Sequence, residues 1–271
     1  MRVRPARPDD YEEFTGLFPE LAVDDPTPSR EKWLGDLVPT TLIAEGDDGA
    51  VLGYLFYQLL SDTGYVRHVV ASPRHRRAGV GARLMGAARE RFEAAAASRW
   101  CLNVKPENAP AIALYRRVGM EKAYDSSALV VPWSAIDALP PGGDVAHVAD
   151  AGEDAAIEAG LGLPRGMLAD FRARAGRVIL AAPSDGSPAL GLAIYDTGFN
   201  GAFPFAARSP EVARALLAAM RERAVSEAPE VHLVVEANPE LAGALVRAGG
   251  RVKMAFCHYA GSLRGRASSS T

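Results

Sequence analysis

Two blocks of this 271-residue chain repeat each other in register, and that repeat restricts the possible folds more than any other feature. Ala44, Asp48-Gly49 and Ser72-Pro73 recur at one constant offset as Ala181, Asp185-Gly186 and Ser209-Pro210. After a shorter middle helix, Asn108, Arg117 and Gly119 recur at a second constant offset as Asn238, Arg247 and Gly249. Turn and cap residues kept in one order imply that a single plan of strands and helices has been duplicated, so the two halves are expected to share a fold. The length agrees, because single cores stop growing near 250 residues. Leu139-Pro140-Pro141-Gly142-Gly143 suits neither helix nor strand. It places a linker over residues 135–144, between domains spanning 1–134 and 145–271.

Within the first half, strand-like and helix-like segments alternate. Met1–Ala6 reads as a strand, Asp9–Leu21 as a helix opened by acidic residues, and Ser29–Leu37 as a second helix. Thr41–Glu45 and Val51–Leu60 read as strands of a hairpin around Asp47-Asp48-Gly49. Gly64–Ala71 is rich in β-branched and aromatic residues and ends at Ser72-Pro73. A long helix follows from Gly79 to about Ala97, with Val80, Leu84, Ala88 and Phe92 at four-residue spacing. Trp100–Val104 is a strand, Ala109–Val118 a helix closed by Gly119, and Met120–Trp133 a last pair of strands.

Composition removes several classes of function. With 48% hydrophobic and 23% charged residues the chain can bury a core. A net charge of −3 without a long basic run argues against a nucleic-acid partner. No stretch reaches the roughly 18 apolar residues of a membrane span, and the N-terminus lacks an apolar signal core. Cys101 and Cys257 form neither a disulfide framework nor a metal knuckle. The expectation is a cytoplasmic protein without membrane partner or metal, working as a monomer or a homodimer.

The strongest local signal is Arg76-Arg77-Ala78-Gly79-Val80-Gly81, set between a strand and a helix. A helix start offers unpaired amides and a partial positive charge, and glycines let a diphosphate approach those amides closely. Flanking arginines add charge-assisted bonds. A dinucleotide fingerprint would need a glycine at Leu84 and an acidic residue about twenty positions on; both are missing. The lysine of a nucleotide-triphosphate loop is missing too. A tight turn with a solvated basic flank is the alternative for the glycines alone.

Asn103-Val104-Lys105-Pro106-Glu107-Asn108, followed by Ala111, Tyr115 and Gly119, is the second constellation. Arg-x-x-Gly-x-Gly opening a long helix, then a strand, then Asn-x-x-Ala-x-x-x-Tyr ending at Gly, resembles the GCN5-related N-acetyltransferase (GNAT) superfamily over residues 1 to about 133. The resemblance implies an α/β (α+β) fold of two tandem domains, each a mixed, mostly antiparallel splayed sheet flanked by helices. It implies acetyl-CoA as co-substrate, with Arg76, Arg77, Ala78, Gly79, Val80, Gly81 and Ala82 as the pyrophosphate loop. Val69, Val70 and Ala71 match the splayed strand beside the pantetheine arm, and Asn108 matches the coenzyme-contacting asparagine. Tyr115 matches the tyrosine near the thioester sulfur.

Transfer to an amine requires a neutral nucleophile, stabilisation of an oxyanion and a proton for the departing thiolate. Tyr115 can supply that proton, its ordinary pKa of about 10 keeping it protonated at neutral pH. His68 is the first choice for a proton acceptor, with Glu45 and Arg67 weaker choices for base and acceptor binding. The expected activity is an N-acetyltransferase acting on a small-molecule primary amine. The alternatives are a non-catalytic acyl-CoA-binding regulatory module and an acetyltransferase for protein amines. In the second half the repeat register puts Ala213, Leu216, Ala218 and Leu245 where Arg76, Gly79, Gly81 and Tyr115 stand, so that domain is expected to be degenerate. Tyr195, Phe199, Asn200 and Phe203 are its possible cleft residues.

Overall fold

A computed structural model describes residues 1–23, 26–60, 62–225 and 227–263. The chain divides into two compact units. One is Met1–Lys122 together with the described residues from Tyr259 to Leu263, and the other is Ala123–His258.

In the first unit, β1 (Arg2–Pro5) pairs antiparallel with β2 (Thr41–Glu45), β2 with β3 (Val51–Leu60), and β3 with β4 (Thr63–Ala71). α1 (Tyr11–Leu17) and a short α2 (Arg30–Lys32), continued by a π turn over Trp33–Leu37, lie between β1 and β2 in sequence. They bury Phe14 and Trp33 against Ile43, Tyr54 and Val70, with the Phe14 and Trp33 rings stacked at 4.6 Å. α3 (Val80–Ala94) packs on β2, β3 and β4. It buries the four-residue stripe Val80, Leu84, Ala88 and Phe92, as its spacing predicts.

β5 (Arg99–Val104) runs parallel to β4 only from Thr63↔Arg99 to Val66↔Leu102. Beyond Val66 the two strands part. At that point β4 carries a bulge, because Phe56 faces His68 while Tyr57 faces Val66, leaving Arg67 without an opposite residue on β3. α4 (Ala109–Arg117) follows β5. The strand beside β5 in this unit is the end of the C-terminal strand, from Tyr259. A Cβ at Gly261 would stand 2.6 Å from Trp100 Nε1, so only glycine admits this approach.

The second unit repeats the element order. β6 (Glu121–Pro132) enters it from Ala123, followed by α5 (Ala135–Ala138), β7 (His147–Val148), α6 (Asp154–Leu161) and α7 (Met167–Arg172). β8 (Arg177–Ala182), β9 (Gly191–Asp196) and β10 (Gly201–Ala207) form an antiparallel run. α8 (Pro210–Arg221), β11 (Glu230–Glu236), α9 (Pro239–Arg247) and β12 (Arg251–Ser262) complete it. β10 and β11 are parallel only at Gly201↔His232 and Ala202↔Leu233, so the splay recurs. Both units are thus mixed, mostly antiparallel sheets flanked by helices.

Three sequence expectations differ from these elements. Met120–Trp133 is one twelve-residue strand rather than a pair. Asp125-Ser126-Ser127 has turn composition, but β11 pairs straight through Ser126 and Ser127. The stretch expected as a linker begins as packed core: Ala135, Ile136 and Leu139 are buried in the second unit, and Arg214 donates to the Leu139 carbonyl at 2.6 Å. The units divide after Lys122 rather than near residue 134, and the last described residues return to the first unit. Residues 264–271 of the expected second domain lie outside the described ones.

Candidate active site

A pocket of about 840 Å³ lies among the end of β4, the start of α3 and α4. That volume is within the range of ligand sites. Val69, Val70 and Ala71 of β4 line one side. Arg76, Arg77, Gly79, Val80, Gly81 and Ala82 line the next, and Asn108, Leu114 and Tyr115 the third. Every residue expected to hold the coenzyme is therefore brought to one cavity, except Ala78, which is exposed and does not line it.

The local backbone accounts for the shape. Arg77 and Gly79 both take positive φ, at 64° and 80°, which turns the loop into the helix. α3 begins without a side-chain cap, because its N-cap residue is Gly79, and its first turn bond is Arg83 N–H to the Gly79 carbonyl at 3.0 Å. The amides of Val80, Gly81 and Ala82 precede that bond and belong to pocket-lining residues. A Cβ at Gly81 would lie 2.9 Å from Leu114 Cδ2, so a side chain there would fill the cradle.

The electrostatics suit an anion. Arg74, Arg76, Arg77 and Arg117 line the pocket, and Glu20 is the one carboxylate among its described lining residues. Glu20 forms an ion pair with Arg76. His75 also lines the cavity, and its Nδ1 is buried without a protein partner. Asn108 uses its Oδ1 to accept the Ala111 amide at 3.2 Å, capping α4. Tyr115 is 7% exposed, and burial pushes its pKa up to about 12. Its ring is backed by Tyr259 at 6.4 Å. An uncapped helix start, a cationic rim and a glycine-shaped cradle together fit a diphosphate.

Residues 7–120 match the model of a family described as Acetyltransferase (GNAT) family. The chain carries a GNAT acetyltransferase domain. It is an acyltransferase enzyme, and its co-substrate is acetyl-CoA. Among solved structures, a GCN5-related N-acetyltransferase from Sphaerobacter thermophilus is similar at 18% identity and a TM-score of 0.63, over 97% of this chain and 96% of that one. A putative acetyltransferase from Pyrococcus horikoshii is similar at 15% identity and a TM-score of 0.69, over 96% and 89%. A tandem GNAT protein from the clavulanic acid biosynthesis pathway is similar at 16% identity and a TM-score of 0.55, over 97% and 99%. These three share the fold across both halves. Compared by sequence with curated proteins, the chain matches none.

The remaining expected residues are placed differently. His68 is not among the pocket's lining residues. It sits between the rings of Phe18, Tyr54 and Phe56, and burial, with Arg67 beside it, lowers its pKa to about 4. It is a neutral, weak base at physiological pH. Glu45 is held by Arg4 at 2.7 Å and by Arg2, which keep its carboxyl below its ordinary range, so it is no base. Tyr195 and Asn200 are buried and bonded to each other at 2.6 Å rather than lining a cleft, while Phe199 is exposed. In the second unit Ser209 accepts the Val212 amide at 3.4 Å and closes the start of α8, the position that is left open in α3. Among the described residues no group of His, Cys, Asp and Glu could hold a metal ion, and no helix is long and apolar enough to cross a membrane.

Proposed function

We propose that the protein moves an acetyl group from acetyl-CoA directly to the primary amine of a small molecule, with Tyr115 as general acid. The observation that carries this reading is that the uncapped first turn of α3 and the Tyr115 side chain belong to one pocket. When bound, acetyl-CoA supplies the electrophilic thioester. The amides of Val80 to Ala82, with Arg76, Arg77 and Asn108, would hold its phosphates, and Val69, Val70 and Ala71 would lie beside the arm. Tyr115, raised to about 12, stays protonated at every working pH and can pass its proton to sulfur as charge develops there.

His68, neutral and outside the pocket lining, would not take the proton of the amine. Deprotonation of the amine would then be left to water, so turnover should rise with pH toward the amine's own pKa.

Steady-state turnover against an amine panel tests the reading. Tyr115→Phe is expected to lower kcat about 100-fold, the low end for a lost general acid, with coenzyme affinity within a factor of two or so. Equal kcat in variant and parent would remove Tyr115 from this role.

A further inference from the structure

Arg67, a weaker choice for acceptor binding from the sequence, has no part in the transfer proposed above, yet its place on β4 is unusual. It is the unmatched residue of the β4 bulge, and it directly follows Val66, the last β4 residue to pair with β5. Its side chain therefore stands where the two strands part. The guanidinium carbon lies 4.4 Å from the centroid of the Tyr65 ring. The Tyr65 hydroxyl in turn accepts a hydrogen bond from Asn103 Nδ2, on β5, at 2.9 Å. A bulge and a stacked ring thus fix an exposed arginine, and no carboxylate pairs with it among the described residues. Val69, which lines the coenzyme pocket, is two residues further along the strand, roughly 7 Å away.

The neighbouring groups leave Arg67 as the available charge on this stretch. His68 is neutral within its aromatic surround, and Lys105, at the end of β5, donates its ammonium to the Ala22 carbonyl. A planar guanidinium with unused donors recognises a carboxylate bidentately, fixing orientation as well as position. An amine carried on the same small molecule would then be directed along β4 toward Val69 and the thioester. The same positive charge disfavours the ammonium form of that amine and raises the share of the neutral nucleophile.

We propose that Arg67 binds the carboxylate of the acceptor, and that the acceptor is a small amine carrying a carboxylate a few ångströms from its amino group, as in an amino acid. This rests on the acetyltransferase reading above.

The test uses matched pairs of amines with and without the carboxylate: L-phenylalanine with phenethylamine, L-ornithine with putrescine, β-alanine with ethylamine. CoA release is followed with a thiol reagent, and acetyl-CoA binding is measured by calorimetry on the same sample. For the pairs that are used, kcat/KM should favour the carboxylate-bearing member at least tenfold. Arg67→Gln should bring that preference below threefold, mainly through KM, and Arg67→Lys should restore part of it. Equal or better use of the decarboxylated members, no use of any carboxylate-bearing amine, or a preference unchanged in Arg67→Gln would each overturn the proposal. If acetyl-CoA binds in those cases, only this inference fails; if it does not bind, the reading beneath it fails.

Discussion

Glu20 and His68 show how single side chains set the working state of the first unit. Glu20 occupies Arg76 in the pocket proposed for the coenzyme, so an incoming diphosphate would compete with a carboxylate already in place. Both partners are partly exposed, and such a pair is worth about 1 kcal/mol or less. Glu20→Gln should therefore tighten acetyl-CoA binding about two- to fivefold by calorimetry, and weaker binding would contradict the competition. His68 makes its mark on stability. Its folded pKa of about 4 lies below the ordinary value of 6.5, so between those values the unfolded chain binds more protons than the folded one. Stability is complete above about pH 6.5 and falls as the pH drops to 4, by up to about 3 kcal/mol from this group. Denaturant melts across that interval should show a shallower acid slope for His68→Phe; an identical slope would mean that His68 titrates normally.

At the scale of elements, the helix start of α3 was legible because its signal is local. Gly79, Gly81 and the arginines lie within six residues, and a loop that ends without a capping side chain can be recognised from those residues alone. Tyr115 was legible through the resemblance alone, whose Asn-x-x-Ala-x-x-x-Tyr motif begins at Asn108. What depends on distant partners was not legible. The bulge that singles out Arg67 exists only in the register of β3 against β4, and the neutral state of His68 depends on Phe18, Tyr54 and Phe56 arriving from other segments. The unbroken β6 depends on β11, more than a hundred residues later. The C-terminal strand carries the corresponding experimental consequence. From Tyr259 it completes the first unit: Leu263 donates to the Ser98 carbonyl at 3.0 Å, and Tyr259, 1% exposed, backs Tyr115. A chain ending at His258 should lose coenzyme binding at least tenfold and melt at lower temperature, because the pocket's tyrosine loses its support. Unchanged binding in that truncation would show that β5 and α4 hold the site unaided.

Across the whole molecule, the frame is kept in both units and an uncapped middle helix in one. Both sheets splay after a short parallel pairing, and both final helices are capped by an asparagine, Asn108 and Asn238. The divergence is at the start of the middle helix. Gly79 leaves α3 uncapped, whereas Ser209 caps α8 at the same helix position; Leu216, set against Gly79 by the sequence register, lies inside α8, and Leu245 stands for Tyr115 on α9. Calorimetric titration of the full chain with acetyl-CoA, run beside Gly81→Val, tests this most directly. One coenzyme per chain should bind to the parent, with affinity at least tenfold weaker in the variant, whose side chain meets Leu114. Two equivalents bound, none bound, or equal affinity in parent and variant would contradict the assignment of the site to the opening turn of α3.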